Sequence, residues 1–180
     1  MVVTMRTRTI ATAALSTALG IAIVEAGVAW SSFRFSSPPP AAPAVPTGAF
    51  EATVDRVLET SDGPVVLLRL PEARALPIWI GHAEARAIER LLHQQPFPRP
   101  LTHDLMAGLV GALDAEVHHV RVRSLRADGV YLGAVALQSP DGPRVVDARP
   151  SDAIALALRT GAPIYVADTL EPHTLAISTR

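Results

Sequence analysis

Hydrophobic and polar positions switch between two periods along this chain. Phe50 to Leu58 alternates loosely and predicts a strand. Asp62-Gly63-Pro64 signals a turn, and Val65 to Leu70 predicts a second strand. Leu76-Pro77-Ile78-Trp79-Ile80-Gly81 is a short apolar run closed by glycine. It predicts a buried strand, with Trp79 in the core and not a platform for base stacking. From His82 to Gln94 the period changes: Ala83, Ala87, Ile88, Leu91 and Leu92 fall at helical spacing. Pro96, Pro98 and Pro100 stiffen the loop that follows. Thr102 has the chemistry of a helix N-cap, which puts His103 and Asp104 in the first turn. Leu105, Leu109 and Leu113 then predict the buried stripe of that helix.

Alternation returns in Val117 to Leu125 and Gly129 to Leu137, with Asp128-Gly129 between them as a hairpin signal. Val145 to Asp147 reads as another short strand. Pro150 or Ser151 opens a last helix that ends at Thr160-Gly161, and Pro163 to Val166 reads as a final strand. No internal repeat is visible. Interleaved strands and helices predict an α/β (α+β) class. The expected domain spans 49–180, with a mixed, largely antiparallel sheet packed by about three helices.

The beginning of the chain is different. Arg6 and Arg8 precede an apolar, alanine-rich run from Ile10 to Val24, about 15 residues against the roughly 20 that span a bilayer. Val24-Glu25-Ala26 and Gly27-Val28-Ala29 offer small-residue cleavage sites. Residues 1–30 therefore read as a signal peptide or as an N-terminal membrane anchor running on to Trp30. Either places the domain in an exported, periplasmic or extracellular setting, or tethers it to the outer face of the inner membrane. Membrane contact is expected only through this segment, if it is uncleaved. Residues 31–48 are proline-rich and read as a semi-rigid linker.

Composition narrows the chemistry. Nearly half of the 180 residues are apolar and 4% are aromatic, so the core must be mostly Ala, Val, Leu and Ile. The absence of cysteine excludes disulfides, thiolate metal sites and cysteine nucleophiles. Every basic residue is arginine, which excludes lysine nucleophiles and Schiff bases. From Thr47 onward there are 13 arginines against 16 carboxylates. That balance lacks the basic excess usual for binding nucleic acid by counterion release, though a local arginine cluster is compatible with it.

Chemistry-bearing residues concentrate in two places. Asp147, Arg149 and Asp152 lie within six residues, ahead of the apolar run Ala-Ile-Ala-Leu-Ala-Leu. One reading is a capped helix start, with Asp152 meeting the helix dipole and Arg149 paired to Asp147. The other makes the two aspartates metal-binding or water-positioning groups and Arg149 a bidentate phosphate clamp. The second place is Arg99-Pro100-Leu101-Thr102-His103-Asp104. Here Arg99 and a helix N-terminus attract anions, and His103 has the chemistry of a general base or metal ligand. Alternatively, Thr102 and Asp104 only cap and His103 lies on the surface. His118 and His119 are adjacent in a strand, so they are expected on opposite faces and read as structural.

Five motifs occur in order: Leu76-Pro77-Ile78-Trp79-Ile80-Gly81; Glu84-Ala85 with Ala87-Ile88; Arg99-Pro100-Leu101-Thr102-His103-Asp104-Leu105; Val146-Asp147-Ala148-Arg149-Pro150-Ser151-Asp152 running on to Arg159; and Pro163-Ile164-Tyr165-Val166. Together they closely resemble the bifunctional nuclease domain family, formerly a domain of unknown function, over nearly all of residues 50–170. The resemblance implies a mixed α/β domain, self-association, and cleavage of DNA and RNA as described for some members. The hairpin strand Val130-Tyr131-Leu132-Gly133-Ala134 departs from the family's usual aromatic pair followed by a small residue. Residues 1–48 have no counterpart in the family domain.

The expected function is a nuclease hydrolysing phosphodiester bonds in DNA or RNA, assisted by a divalent metal such as Mg or Mn. Residue chemistry assigns the metal to Asp104, Asp147 and Asp152, water activation to His103, and charge stabilisation to Arg149. Arg99, Arg149 and Ser151 are expected to bind substrate. The alternative is a non-catalytic, homo-oligomeric binding or assembly module of the same fold. Convergence of His103, Asp104, Asp147 and Asp152 on one cleft favours the enzyme. A buried Arg149 pair far from His103 favours the module.

Overall fold

In a computed structural model, which describes residues 41–177, the chain forms β1 (Ala49–Thr60), β2 (Gly63–Leu70), β3 (Arg74–Trp79), α1 (His82–Leu92), α2 (Thr102–Ala112), β4 (Glu116–Leu125), β5 (Tyr131–Ser139), β6 (Gly142–Ala148), α3 (Pro150–Thr160), β7 (Ile164–Ala167), a 3₁₀ turn (Asp168–His173) and β8 (Leu175–Ala176). The strands make one sheet in the order β6-β5-β4-β7-β1-β2-β3-β8. The β4–β7 pair is parallel, and the other described pairs are antiparallel. This is the mixed, largely antiparallel α+β domain that the alternating patterns predict. The expected leader or anchor over 1–30 lies outside the described residues, as does the linker before residue 41. No described helix is long and apolar enough to cross a membrane.

The core lies between the helices and one face of the sheet. Alternate residues supply it: Val66, Leu68 and Leu70 of β2, Leu76 and Ile78 of β3, Val120 and Val122 of β4, and Ile164 and Val166 of β7. α3 sits at the centre, packed against β4 and β5 and touching both α1 and α2. Its run Ala153 to Ala157 is buried without a break. A helix buried on nearly all sides has to be apolar all round, and its alanines let neighbouring backbones come close. α3 ends at Gly161, whose φ of +74° is the left-handed geometry of a glycine C-cap. At its other end, Gly133 of β5 faces the turn between β6 and α3. A Cβ there would lie 2.9 Å from the Ala148 carbonyl oxygen and 3.2 Å from the Pro150 nitrogen. Glycine at this position lets α3 start directly over the sheet.

The fold departs from the sequence pattern in four places. Leu105, Leu109 and Leu113 are 55–73% exposed and do not form the buried stripe. α2 turns His103, Met106 and Ala107 inward instead, a set at the i, i+3, i+4 spacing of one helix face. Leu101, not Thr102, is its N-cap residue. His118 and His119 do not separate. The β4–β5 register shifts between Val117 and His119, and the two Nδ1 atoms lie 2.9 Å apart. A bulge breaks the strict alternation that would have put them on opposite faces. Trp79 is 57% exposed, because β3 ends there and its neighbour Ile78 takes the core side.

Candidate functional site

Each helix carries a carboxylate at its third residue: Glu84 in α1, Asp104 in α2 and Asp152 in α3. Acidic groups there meet the positive end of the helix dipole. The fold brings the three helix starts together, so these local choices become one site.

At its centre Asp152 bridges two partners. Its Oδ1 lies 3.2 Å from His103 Nε2, and its Oδ2 accepts a hydrogen bond from Arg149 Nε at 2.9 Å. Arg149 Nη2 donates to Glu84 Oε1 at 2.6 Å. Asp152, with help from Glu84, pushes the Arg149 pKa further up, so this guanidinium is a permanent cation. Glycine at residue 81 leaves room for the Glu84 carboxylate beside it, where a Cβ would press on Oε2. His103 is buried and Arg149 is exposed. In the tautomer with its hydrogen on Nε2, His103 donates to Asp152 and leaves Nδ1 as an acceptor.

These residues line a cleft of about 380 Å³ together with Ala83, Arg86, Ala87, Arg90, Phe97, Leu101 and Thr102. Arg86 and Arg90 are one turn apart on α1. Neither has a carboxylate partner among the described residues, and Arg90 lies over the Phe97 ring, 4.6 Å from its centroid. Arg86, Arg90 and Arg149 outnumber Glu84 and Asp152 on the wall. The cleft is therefore locally basic inside a mildly acidic domain.

The structure brings together some of the expected site residues and separates others. His103, Arg149 and Asp152 share the cleft. Asp104 lies behind it, where its carboxylate accepts the Leu101 amide at 2.8 Å and pairs with Arg159. Asp147 projects from β6 and pairs with Arg123 of β4. The expected Arg149–Asp147 pair is replaced by Arg149 with Asp152 and Glu84. Arg99 is exposed on the proline-rich loop and lines no described cleft. Ser151 is buried and borders a second groove that also reaches Arg149.

Asp104, Asp147 and Asp152 thus have separate partners, and they do not fit a common divalent-metal centre. No group of three or more metal-ligating side chains occurs among the described residues. Arg86, Arg90 and the pairing role of Glu84 are site features that spacing along the chain does not single out. The spacing Arg86-x-x-x-Arg90 on a predicted helix was the available signal, but which way that helix faced was not legible.

Fold and site together define an α+β domain in which three helix N-termini assemble a charged cleft on one side of a mixed sheet. The chain belongs to the bifunctional nuclease domain family, whose sequence profile matches residues 65–174. It is also 44% identical over 118 residues to two proteins of Mycobacterium tuberculosis that carry the name uncharacterized protein, one from strain CDC 1551 / Oshkosh and one from ATCC 25618 / H37Rv. Each match covers 64% of this chain and 68% of the relative. Membership associates the chain with nucleases and with nucleic acid as the kind of molecule bound.

Proposed function

We propose that the protein hydrolyses phosphodiester bonds in DNA or RNA, with the cleft at the three helix starts as its active site. The observation that carries this reading is the chain of contacts His103–Asp152–Arg149, set beside two arginines without carboxylate partners among the described residues. Asp152 holds the His103 ring in the tautomer that leaves Nδ1 free to take a proton from water. As that proton moves, the water oxygen bonds to phosphorus and the bond to the bridging oxygen breaks. The departing alkoxide takes its proton from solvent water on the opposite face, and His103 then releases the proton it holds to the medium. Arg149, Arg86 and Arg90 face the charge that builds on the non-bridging oxygens, where preorganised cations are most effective. Proton transfer of this kind contributes about 10²–10⁴-fold in rate. Asp104 and Asp147 are held away from Asp152 by Arg159 and Arg123, so the chemistry rests on His103 and the arginines.

The test is cleavage of single-stranded RNA and plasmid DNA by the full chain, with Mg²⁺, with Mn²⁺ and with chelator. His103→Ala and Asp152→Ala should each reduce the rate by about 10²-fold or more. Unchanged cleavage in the double variant removes the assignment. If Asp147→Ala abolishes cleavage while Asp152→Ala leaves it intact, the reaction centre lies on the β6 side.

One observation favours the rival reading of a non-catalytic homo-oligomeric module. Leu105, Leu109 and Leu113 make an exposed stripe on α2, and Val145 and Val146 are exposed on the edge strand β6. Such patches often mark interfaces. Sedimentation of a Leu109→Glu variant, run beside the cleavage assay, separates assembly from catalysis. We propose in addition that the domain works outside the cytoplasm, reached through a leader or anchor over 1–30 and a spacer over 31–48. N-terminal sequencing of exported protein tests that part.

A further inference from the structure

A second groove of about 330 Å³ lies on the other side of Arg149. Its walls come from three parts of the chain: Ile78 to Gly81 at the end of β3, Gly129 to Tyr131 at the β4–β5 turn, and Arg149 to Ser151 at the start of α3. β3 and β5 are far apart in the strand order, so the sheet curls to bring their ends to the same helix start.

Four observations point to one kind of occupant. Trp79 presents an exposed indole to the groove, and Tyr131 is a second aromatic side chain on its wall. Ser151 is only 6% exposed, and its hydroxyl has no hydrogen-bond partner among the described residues. It sits in the first turn of an eleven-residue helix whose N-cap residue, Arg149, makes no side-chain cap. Arg149 itself borders both this groove and the cleft that holds His103. An aromatic face, an unpartnered hydroxyl opening on the groove from a mostly buried serine, uncapped helix amides and a shared cation match the parts of a nucleotide. The aromatic face takes a base, and the polar groups take a phosphate.

We infer that this groove is a nucleotide subsite, in which an unpaired base stacks on Trp79 while the adjoining phosphate meets Ser151 and the start of α3. The inference rests on the nuclease reading and adds a substrate preference to it. A base still paired in a duplex cannot lie flat on the indole, so the preferred substrate is single-stranded. The strand then passes over Arg149, which places the next phosphate in the His103 cleft.

The experiment measures binding of the full chain to a short single-stranded oligonucleotide and to its abasic counterpart, alongside cleavage of the first. Trp79→Ala should weaken binding of the base-bearing strand by about tenfold, as loss of one base–aromatic stack does. It should leave the abasic strand unaffected, and Trp79→Phe should keep most of the affinity. Ser151→Ala should weaken both strands alike.

Equal binding of the base-bearing strand by wild type and Trp79→Ala overturns the subsite, and so does an equal loss on both strands. Trp79→Ala acting only on oligomeric state, seen by sedimentation, overturns it in favour of a contact between copies. Base-dependent binding without cleavage removes the nuclease reading and keeps the subsite. Cleavage indifferent to Trp79 does the reverse.

Discussion

Gly133→Ala is a one-carbon change that tests how the fold aims the site. The added Cβ would stand 2.9 Å from the Ala148 oxygen, 3.2 Å from the Pro150 nitrogen and 3.3 Å from the Pro150 Cα. All three neighbours are backbone, so no side chain can swing away. Ordinary contact begins near 3.4 Å, and the turn must therefore give by about 0.5 Å. Overpacking of this kind costs about 1–3 kcal/mol. Replacing glycine also removes unfolded-state freedom, which returns about 0.4–1 kcal/mol. The net expectation is a loss of about 1–2 kcal/mol, or roughly 4–8 °C in Tm for a domain of this size.

The turn can yield only by moving the start of α3, and that carries Arg149 and Asp152 away from Glu84 and His103. Thermal melting gives the first number, and the NMR chemical shifts of the His103 ring report on the second. Gly129→Ala is the control. Nothing lies within 4 Å of its added carbon, though its φ of +83° makes the change strained in itself. It should cost stability without disturbing His103. A Gly133→Ala protein as stable as wild type, with unaltered His103 ring shifts, would refute the close approach.

Other expectations follow from burial and charge. Ile154→Ala, at a fully buried position on α3, should cost about 2–5 kcal/mol by chemical denaturation. Leu109→Ala should change monomer stability by no more than about 0.5 kcal/mol, because the side chain is exposed. Burial, reinforced by His118 and Arg121, lowers the His119 pKa below its usual value of 6.5. The folded state therefore binds the proton less readily than the unfolded chain does. That contribution to stability is complete above about pH 6.5 and is lost as pH falls through the depressed value. Denaturant melts at falling pH should show this loss, and His119→Gln should remove that part of the slope. Asp104→Asn should loosen the start of α2 by removing the Arg159 charge pair while keeping an acceptor for the Leu101 amide. Hydrogen exchange across Thr102 to Ala107 measures that loosening.

Local chemistry made much of the fold legible. Asp128-Gly129 marked the hairpin because a left-handed turn position favours glycine, and Gly161 marked the end of α3 for the same reason. Continuous apolarity from Ala153 to Leu158 identified the buried helix, because no polar face was available to turn outward. Where one helix face had to be chosen, the pattern misled. Leu105, Leu109 and Leu113 are more hydrophobic than His103, Met106 and Ala107, yet the second set is turned inward. The rotation of α2 is fixed by two contacts to α3, His103 with Asp152 and Asp104 with Arg159, and both partners lie some fifty residues further along the chain.

Sequence by itself determined most of the strands, the three helices and the class of fold, because these follow from short-range sterics and hydrogen bonding, but not β8, the 3₁₀ turn or the cap of α2. Tertiary structure alone decided which carboxylates would meet. Asp152 joins His103, Arg149 and Glu84, while Asp147 is carried off on β6 to Arg123. The physical reason is that Asp147 and Asp152 stand on two sides of a turn between strand and helix. Their directions are set by how β6 pairs with β5 and how α3 packs on β4 and β5, and neither contact is visible in residue spacing.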